Sequence, residues 1–544
     1  MLTIQDCIDI CRLNEDEIAA AAEHEHVPDI IAIEMMKYLC VNADGERRLS
    51  NMIIEDIEAA REHGNLCHAA KLRLVLQHFL ERHAGVKLTA EQNGVAALDD
   101  DLLPDLGGSL LLTDLYQLNM LQAYRDADMD RIAVFEFFVR RLPPRRGFLM
   151  AAGLASVVEF LERAQFSEDD LAWLRESRRF DKSFVDSLAD WRFTGDIDAM
   201  DEGRIFFPDE PILRVIAPIS QAQLVETRVI NLLHLQTVIT SKAARFVLAA
   251  PGKTLIDFGL RRAHGAEAGL FAARSAYLAG FTGSATTLAE KRFGVPAYGT
   301  MAHSFVQAHD SEEAAFVHFA RSRPEHAIFL IDTYDTERAA ETVVRLAKLG
   351  VPVRGVRLDS GDLAKHARAV RTILDNGGLD DVSIFASGGV DEDLIARHVA
   401  ANVAIDGYGI GTNLTTSEDA PALDCAYKIQ EYDGRPKRKR SEGKATWPGR
   451  KQIYRRYGAD ELMIEDVLTL ADRSENGEPL LRPVLRAGTR VEPLPSLDDA
   501  RRLAADELSR LPRPLNTLKT RPAYPVRIAR ELMELAARLD HDAA

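Results

Sequence analysis

The stretch GVRLDSGDL places Arg357, Asp359, Ser360 and Asp362 on one turn, directly after an apolar run. IDTYDT supplies Asp332, Thr333 and Asp335, FASGGVD supplies Ser387, Gly388, Gly389 and Asp391, and GYGIGTNL supplies Gly409, Gly411 and Thr412. Glycine after a strand lets backbone N–H groups approach phosphate oxygens closely, and a following helix N-terminus adds a positive dipole. Carboxylates such as Asp332 and Asp359 suit either Mg²⁺ or the hydroxyls of a ribose, since hard cations and diols both favour them. Glycine and aspartate are also the ordinary residues of turns and helix caps. Several such turns in succession favour a phosphate-bearing ligand over that plainer reading. AYGTMAHSFVQAH carries His303, flanked by Thr300 and Ser304, a hydroxyl pair able to orient an imidazole. LIDFGLRRAHG adds Arg261 and Arg262, cations suited to carboxylate or phosphate, with a surface ion pair as the alternative. No GxxxxGK[ST], GxGxxG after a strand, HExxH or GxSxG is present, which disfavours the common nucleotide-binding, zinc-hydrolase and serine-hydrolase readings.

The elements that must position these groups follow from periodicity. Between about Ala217 and Thr416, the strand-like runs TLIDFG, AYGTMAHS, AIFLIDTYDT, GVRLDSG, VSIFASGG and AIDGYGIGT alternate with helical stretches such as ERAAETVVRLAKLG and DLAKHARAVRTILDNG. That alternation predicts βα units on a parallel sheet closed, or nearly closed, into a barrel with functional groups at the C-terminal strand ends. Residues 1–95 read as a helical extension, 96–109 as a linker and 217–420 as the barrel. Residues 110–216 and 421–544 mix short strands with helices, and the chain ends in a helix.

Across 544 residues, 46% are hydrophobic and 28% charged, the balance of a soluble globular chain of two to four domains. A formal charge of −17 argues against a general nucleic-acid binder, although a local pocket can still be positive. The basic run RPKRKR, Arg435 to Arg440, reads as a solvated turn between two strands. No apolar run is long enough to cross a bilayer, and the N-terminus lacks the pattern of a secretion signal, so a cytoplasmic, membrane-free protein is expected. Cys7, Cys11, Cys40 and Cys67 with His24, His26 and His68 fit no standard zinc spacing and read as packing residues.

The ordered series SLLLTDLYQLNMLQAY, FEFFVRRLPPRRGFLMAAGL, DFGLRRAHG, AYGTMAHSFV, LIDTYDT, GVRLDSGDL, SGGVDED, GYGIGTNL and SEGKATWPGRKQIYRR resembles the motif series of nicotinate phosphoribosyltransferases. The resemblance implies an α/β fold: an irregular TIM-like βα barrel plus an open-faced α+β sandwich built from both ends of the core. The N-terminal all-α extension lies beyond what the family needs. It also implies a homodimer. The implied reaction joins nicotinate to phosphoribosyl pyrophosphate with ATP as co-substrate, a phosphoribosyl transfer of ligase-type classification serving NAD biosynthesis. By the same resemblance His303 is a transient phosphohistidine, with Asp332 and Asp359 as catalytic carboxylates where Mg²⁺ is also expected. Tyr116, Phe258, Arg261, Thr300 and Arg357 are implied for nicotinate, with Tyr116 reaching in from the other subunit. Ser304, Gly388, Gly389, Gly411 and Thr412 are implied for the phosphoribosyl phosphate. Nicotinamide-using relatives carry an Asp where this chain has Ala285, so the acid is expected over the amide. The rival readings are a nicotinamide- or quinolinate-specific phosphoribosyltransferase and a non-catalytic regulatory homologue.

Overall fold

The computed structural model describes residues 43–62, 72, 75–76, 79–80, 109–519 and 523–541. The cysteines and histidines singled out near the N-terminus, and nearly all of the expected linker, lie outside them. The chain divides into a first unit, Met1–Leu106, and a second, Gly107–Ala544. In the first unit the helix Ala43–Glu62 buries Leu49, Ile53, Ile54, Ile57 and Ala60, a helical-period stripe that gives it one apolar face.

Among the described residues of the second unit there are three main sheets. A seven-stranded antiparallel sheet has the central strands Cys425–Tyr432, Ile132–Val139, Pro211–Pro218, Asp196–Ala199 and Arg482–Arg486, in that spatial order. Strands from residues 132–218 are therefore flanked on both sides by strands from beyond residue 424. IAVFEFFV suits the centre of such a sheet, being rich in β-branched and aromatic residues and buried on both faces except at its first residue. The strands Lys451–Tyr457 and Met463–Leu470 form the middle of a four-stranded sheet. Arg435–Pro436 continues the hairpin from Tyr432, and Arg438 beyond it pairs with Asp540 and lies over Trp447.

The third sheet holds six parallel strands in the order Gly283–Ser284, Thr254–Asp257, Gly407–Ile410, Ser383–Ala386, Gly355–Leu358, Ile328–Leu330. The first of these in sequence, Thr254–Asp257, pairs with both the second and the last. Helices Thr336–Lys348, Leu363–Asn376 and Glu392–Ala400 follow three of the strands. Their N-caps are Asp335, Asp362 and Asp391, each accepting a backbone N–H. For these three aspartates the capping reading holds. The long helix Glu226–Ala249 is buried on most sides, and its buried residues include charged ones such as Lys242 and Arg245.

One expected strand is corrected. AYGTMAHS contributes only a single bridge, Ala297 to Ser284, and His303 opens the short helix His303–Gln307 instead of ending a strand. Pro296 has no N–H to donate to a ladder. Gly283 is pressed so closely by the Pro296 carbonyl and the Tyr298 ring that a Cβ there would lie 2.2 Å from the former.

Candidate active site

Parallel strands deliver all their C-terminal ends to one side of the sheet, so residues far apart in sequence converge there. Arg357 lies in Gly355–Leu358 and Asp359 follows it; Asp332 follows Ile328–Leu330; Ser387 and Gly388 follow Ser383–Ala386; Gly411 and Thr412 follow Gly407–Ile410.

His303 occupies the first turn of its helix with its side chain 38% exposed. Its Nδ1 lies 3.1 Å from Thr333 Oγ1, while Nε2 lies 4.0 Å from Asp332 Oδ1 and 3.9 Å from Asp359 Oδ2. Thr333 thus orients the imidazole, in place of the expected pair Thr300 and Ser304. Thr300 is drawn elsewhere: its hydroxyl accepts from Arg357 Nη1 at 3.1 Å. Ser304 is exposed in the same first turn as His303.

Asp332 is fixed on one side only. Oδ2 accepts the Asp359 N–H at 2.9 Å and the Ser360 hydroxyl at 2.6 Å, whereas Oδ1 is buried without a hydrogen-bond partner among the described residues. Leaving a buried carboxylate oxygen unmatched is costly, so a group carrying a proton or a positive charge belongs beside it. Asp359 Oδ1 accepts from Ser387 and from Arg357 Nη2, which leaves Oδ2 facing the imidazole. Two carboxylate oxygens beside an open imidazole suit a hard cation, although among the described residues no group of three or more His, Cys, Asp or Glu side chains could hold one unaided.

Arg357 fans across the neighbouring strand ends. Beyond Thr300 and Asp359 it donates to Ser387 Oγ at 3.1 Å and to the Met301 carbonyl at 3.3 Å, and its guanidinium lies 5.6 Å from the Phe258 ring centre. Phe258 rests on Gly409, where a Cβ would come within 2.4 Å of the ring. Gly388 has φ 84°, and a Cβ would lie 1.9 Å from the Asp359 carbonyl oxygen, so only glycine fits. Gly389 (φ 63°) faces open space. Arg261 and Arg262 are exposed on the turn Leu260–Arg262, and among the described residues no carboxylate pairs with either.

Tyr116 is not brought to this cluster. It lies half exposed on the helix Leu115–Asp126, where burial, Glu226 and Asp114 raise its pKa. It lines a separate groove of about 260 Å³ with Met120, Tyr124, Glu226 and Tyr427.

Two residues passed over in the sequence belong to this neighbourhood. Asp257 is buried at its strand's C-terminal end; Oδ1 accepts the Gly259 N–H at 2.8 Å and Oδ2 the Ser284 hydroxyl at 2.7 Å. Burial raises its pKa, and its carbonyl accepts the Ala285 N–H, so it ties the Phe258 turn to Ala285. Glu312 opens the helix Glu312–Ser322, and burial followed by the charges of Asp335 and Asp332 pushes it up to about 7. Asp257 was legible only as one more strand-end aspartate, and Glu312 only as a first-turn acid.

Comparison with known proteins assigns the lineage. The nicotinate phosphoribosyltransferase N-terminal domain matches residues 111–234, the nicotinate phosphoribosyltransferase family residues 254–446, and the C-terminal domain residues 474–536. Nicotinate phosphoribosyltransferase pncB2 of Mycobacterium tuberculosis is 50% identical over 438 residues, covering 79% of this chain and 94% of that one. Nicotinate phosphoribosyltransferase of Bacillus subtilis is 38% identical over 384 residues, covering 68% and 78%. The crystal structure of human nicotinic acid phosphoribosyltransferase superposes with a TM-score of 0.71 at 31% identity, covering 78% of this chain and 99% of that one. With this mixed α/β fold and these motifs, the chain belongs to the nicotinate phosphoribosyltransferase family.

Proposed function

We propose that the protein joins nicotinate to the ribosyl group of phosphoribosyl pyrophosphate, and that ATP drives the reaction through a transient phosphate on His303. The observation that carries this reading is His303 Nε2, without a close partner among the described residues and facing Asp332 and Asp359. With the ring proton on Nδ1 and donated to Thr333, Nε2 keeps its lone pair. That lone pair attacks the γ-phosphorus of ATP, the bond to the bridging oxygen breaks, and ADP leaves with the electron pair; water later takes the phosphoryl group from the ring.

In the transfer itself the pyridine nitrogen attacks the anomeric carbon as the bond to pyrophosphate breaks, the leaving group taking the electron pair. The protein's part is to align the ring with that carbon and to stabilise charge as it builds. Phe258 offers an aromatic face and Arg357 a cation beside it, with Arg261 and Thr300 completing the nicotinate side. Gly388, Gly389, Gly411 and Thr412, with Ser304 nearby, supply the phosphoribosyl side. Asp332 and Asp359 fit Mg²⁺, which would neutralise phosphate oxygens and keep waters and substrate oxygens as its other ligands. Ala285, with no carboxylate to repel the substrate, favours the acid over the amide.

The same reading extends to architecture. The parallel strands follow sequence order closed on itself, with one opening between Gly283–Ser284 and Ile328–Leu330, which supports an irregular barrel over residues 217–420. Residues 110–216 and 421–544 form the sandwich domain. A cytoplasmic homodimer brings Tyr116 of each subunit to the other's site, in keeping with its place in a groove that none of the His303 cluster lines. No helix among the described residues is long and apolar enough to cross a membrane.

Product detection with and without ATP tests the function. Wild type is expected to form nicotinate mononucleotide, stimulated by ATP, and to acquire acid-labile phosphate. His303→Ala is expected to lose both the stimulation and the phosphate while keeping weak basal transfer. A wild-type protein that forms no mononucleotide, or prefers nicotinamide, overturns the reading.

A further inference from the structure

Behind the glycine turns lies a buried set of charges that the proposed chemistry does not touch. Lys242, 2% exposed in the middle of Glu226–Ala249, places Nζ 2.7 Å from Glu392 Oε2 and 2.9 Å from Asp419 Oδ1. Glu392 opens the helix that follows Gly388 and Gly389; Asp419 lies just beyond the short helix Thr412–Thr415 that follows Gly411. One ammonium therefore bridges carboxylates that belong to two different turns.

Each carboxylate also has an arginine of its own. Arg245 Nε donates to Glu392 Oε1 at 2.8 Å. Arg146 donates to both oxygens of Asp419 at 3.0 and 3.2 Å and reaches the Ser417 hydroxyl at 2.6 Å. Burial alone would raise both acids, yet these cations hold Glu392 below its usual value and bring Asp419 down to about 2. Across the front, Asn413 Nδ2 donates to the Val390 carbonyl at 2.8 Å, a direct link between the same two turns.

We propose that Lys242 is a positioning residue: it sets the spacing between the Ser387–Gly389 turn and the Gly411–Thr412 turn, and through that spacing the grip on the phosphoribosyl phosphate. The inference rests on the phosphoribosyl-transfer reading. A methionine at 242 would leave Glu392 with Arg245 and Asp419 with Arg146, so each acid keeps a counter-charge while the bridge between the turns is lost. A cation whose only task was stability would, when removed, lower the amount of folded enzyme and leave both KM values as they were. A spacing element acts on the substrate that spans the two turns.

The test uses the full chain with Lys242→Met. The KM for phosphoribosyl pyrophosphate is expected to rise about tenfold, with kcat and the KM for nicotinate within about twofold of wild type. Thermal stabilisation by phosphoribosyl pyrophosphate, read without turnover, is expected to need about tenfold more of it. Should Lys242→Met fail to fold, Lys242→Gln carries the same test, since it also removes the ammonium while leaving Glu392 with Arg245 and Asp419 with Arg146. Equal rises in both KM values, or no rise in either, overturn the proposal. A wild type that makes no mononucleotide overturns the functional reading, and the thermal shift then decides the spacing role alone: its loss in the variant sustains that role, and its persistence, or its absence from wild type, ends it.

Discussion

Thr333 fixes which nitrogen of His303 is available. Nδ1 is the atom held at 3.1 Å, so the nucleophile of the proposed phosphorylation is Nε2, the atom that faces Asp332 and Asp359. Thr333→Val keeps the shape and removes the partner. It is expected to lower ATP stimulation about tenfold or more while leaving ATP-independent transfer, measured as mononucleotide formed with and without ATP. Unchanged stimulation would assign the orienting role to another group. Ala285 gives a second residue-scale outcome. Ala285→Asp would set a carboxylate at the strand end that Asp257 holds, repelling an anionic substrate by about 1–4 kcal/mol. The ratio of kcat/KM for nicotinate over nicotinamide is then expected to fall by at least about tenfold. Arg357 and Asp359 were legible because they stand two residues apart in one motif. The bond from Thr333 to His303 crosses 30 residues between separate strand ends, and no local pattern carries it.

At the scale of elements, the glycine turns separate conformation from space. Gly388 and Gly389 both have positive φ, but only at Gly388 would a Cβ strike backbone, 1.9 Å from the Asp359 carbonyl oxygen. Gly389→Ala is therefore expected to cost about 1 kcal/mol, from the left-handed backbone alone. Gly388→Ala must also push the Asp359 turn away, so a larger loss of stability, more than about 2 kcal/mol, should come with weaker binding of phosphoribosyl pyrophosphate. Urea unfolding and substrate titration of the two variants check the ordering, and equal losses would contradict it. The turns were readable because a strand ending in small residues before an amphipathic helix is a local signal. AYGTMAHS misled for a related reason: its residues have strand-like character, but Pro296 and the crowding at Gly283 leave it one bridge to Ser284. Its departure from the sheet is also what lets His303 open a helix beside Asp332 and Asp359.

Across the whole molecule, distant segments are fastened by a buried charge network that periodicity cannot reveal. Arg455, fully buried, donates to Asp466, to Glu507 on the helix Leu497–Ser509 and to the Ile205 carbonyl; Arg204 also reaches Glu507, and the Tyr524 hydroxyl donates to Asp466. Glu210 lies within this network with Oε1 unpartnered, and its Oε2 accepts the Phe207 N–H at 2.8 Å. Burial first, then the charge of Asp466, raises its pKa well above the ordinary 4.5, against the pull of Arg455. The native state therefore holds a proton there that the unfolded chain releases near pH 4.5. As pH rises above that value, ν_U falls below ν_N and stability declines, by about 1.4 kcal/mol per pH unit for one proton, until the native carboxyl ionises as well. Glu210→Gln keeps a neutral side chain of the same shape at every pH and removes this contribution. The variant is expected to lose less stability than wild type as pH rises above 4.5. Urea unfolding of both proteins across that range measures the slopes. Parallel slopes would mean that Glu210 is already ionised in the native protein and that Arg455 outweighs burial and Asp466 together.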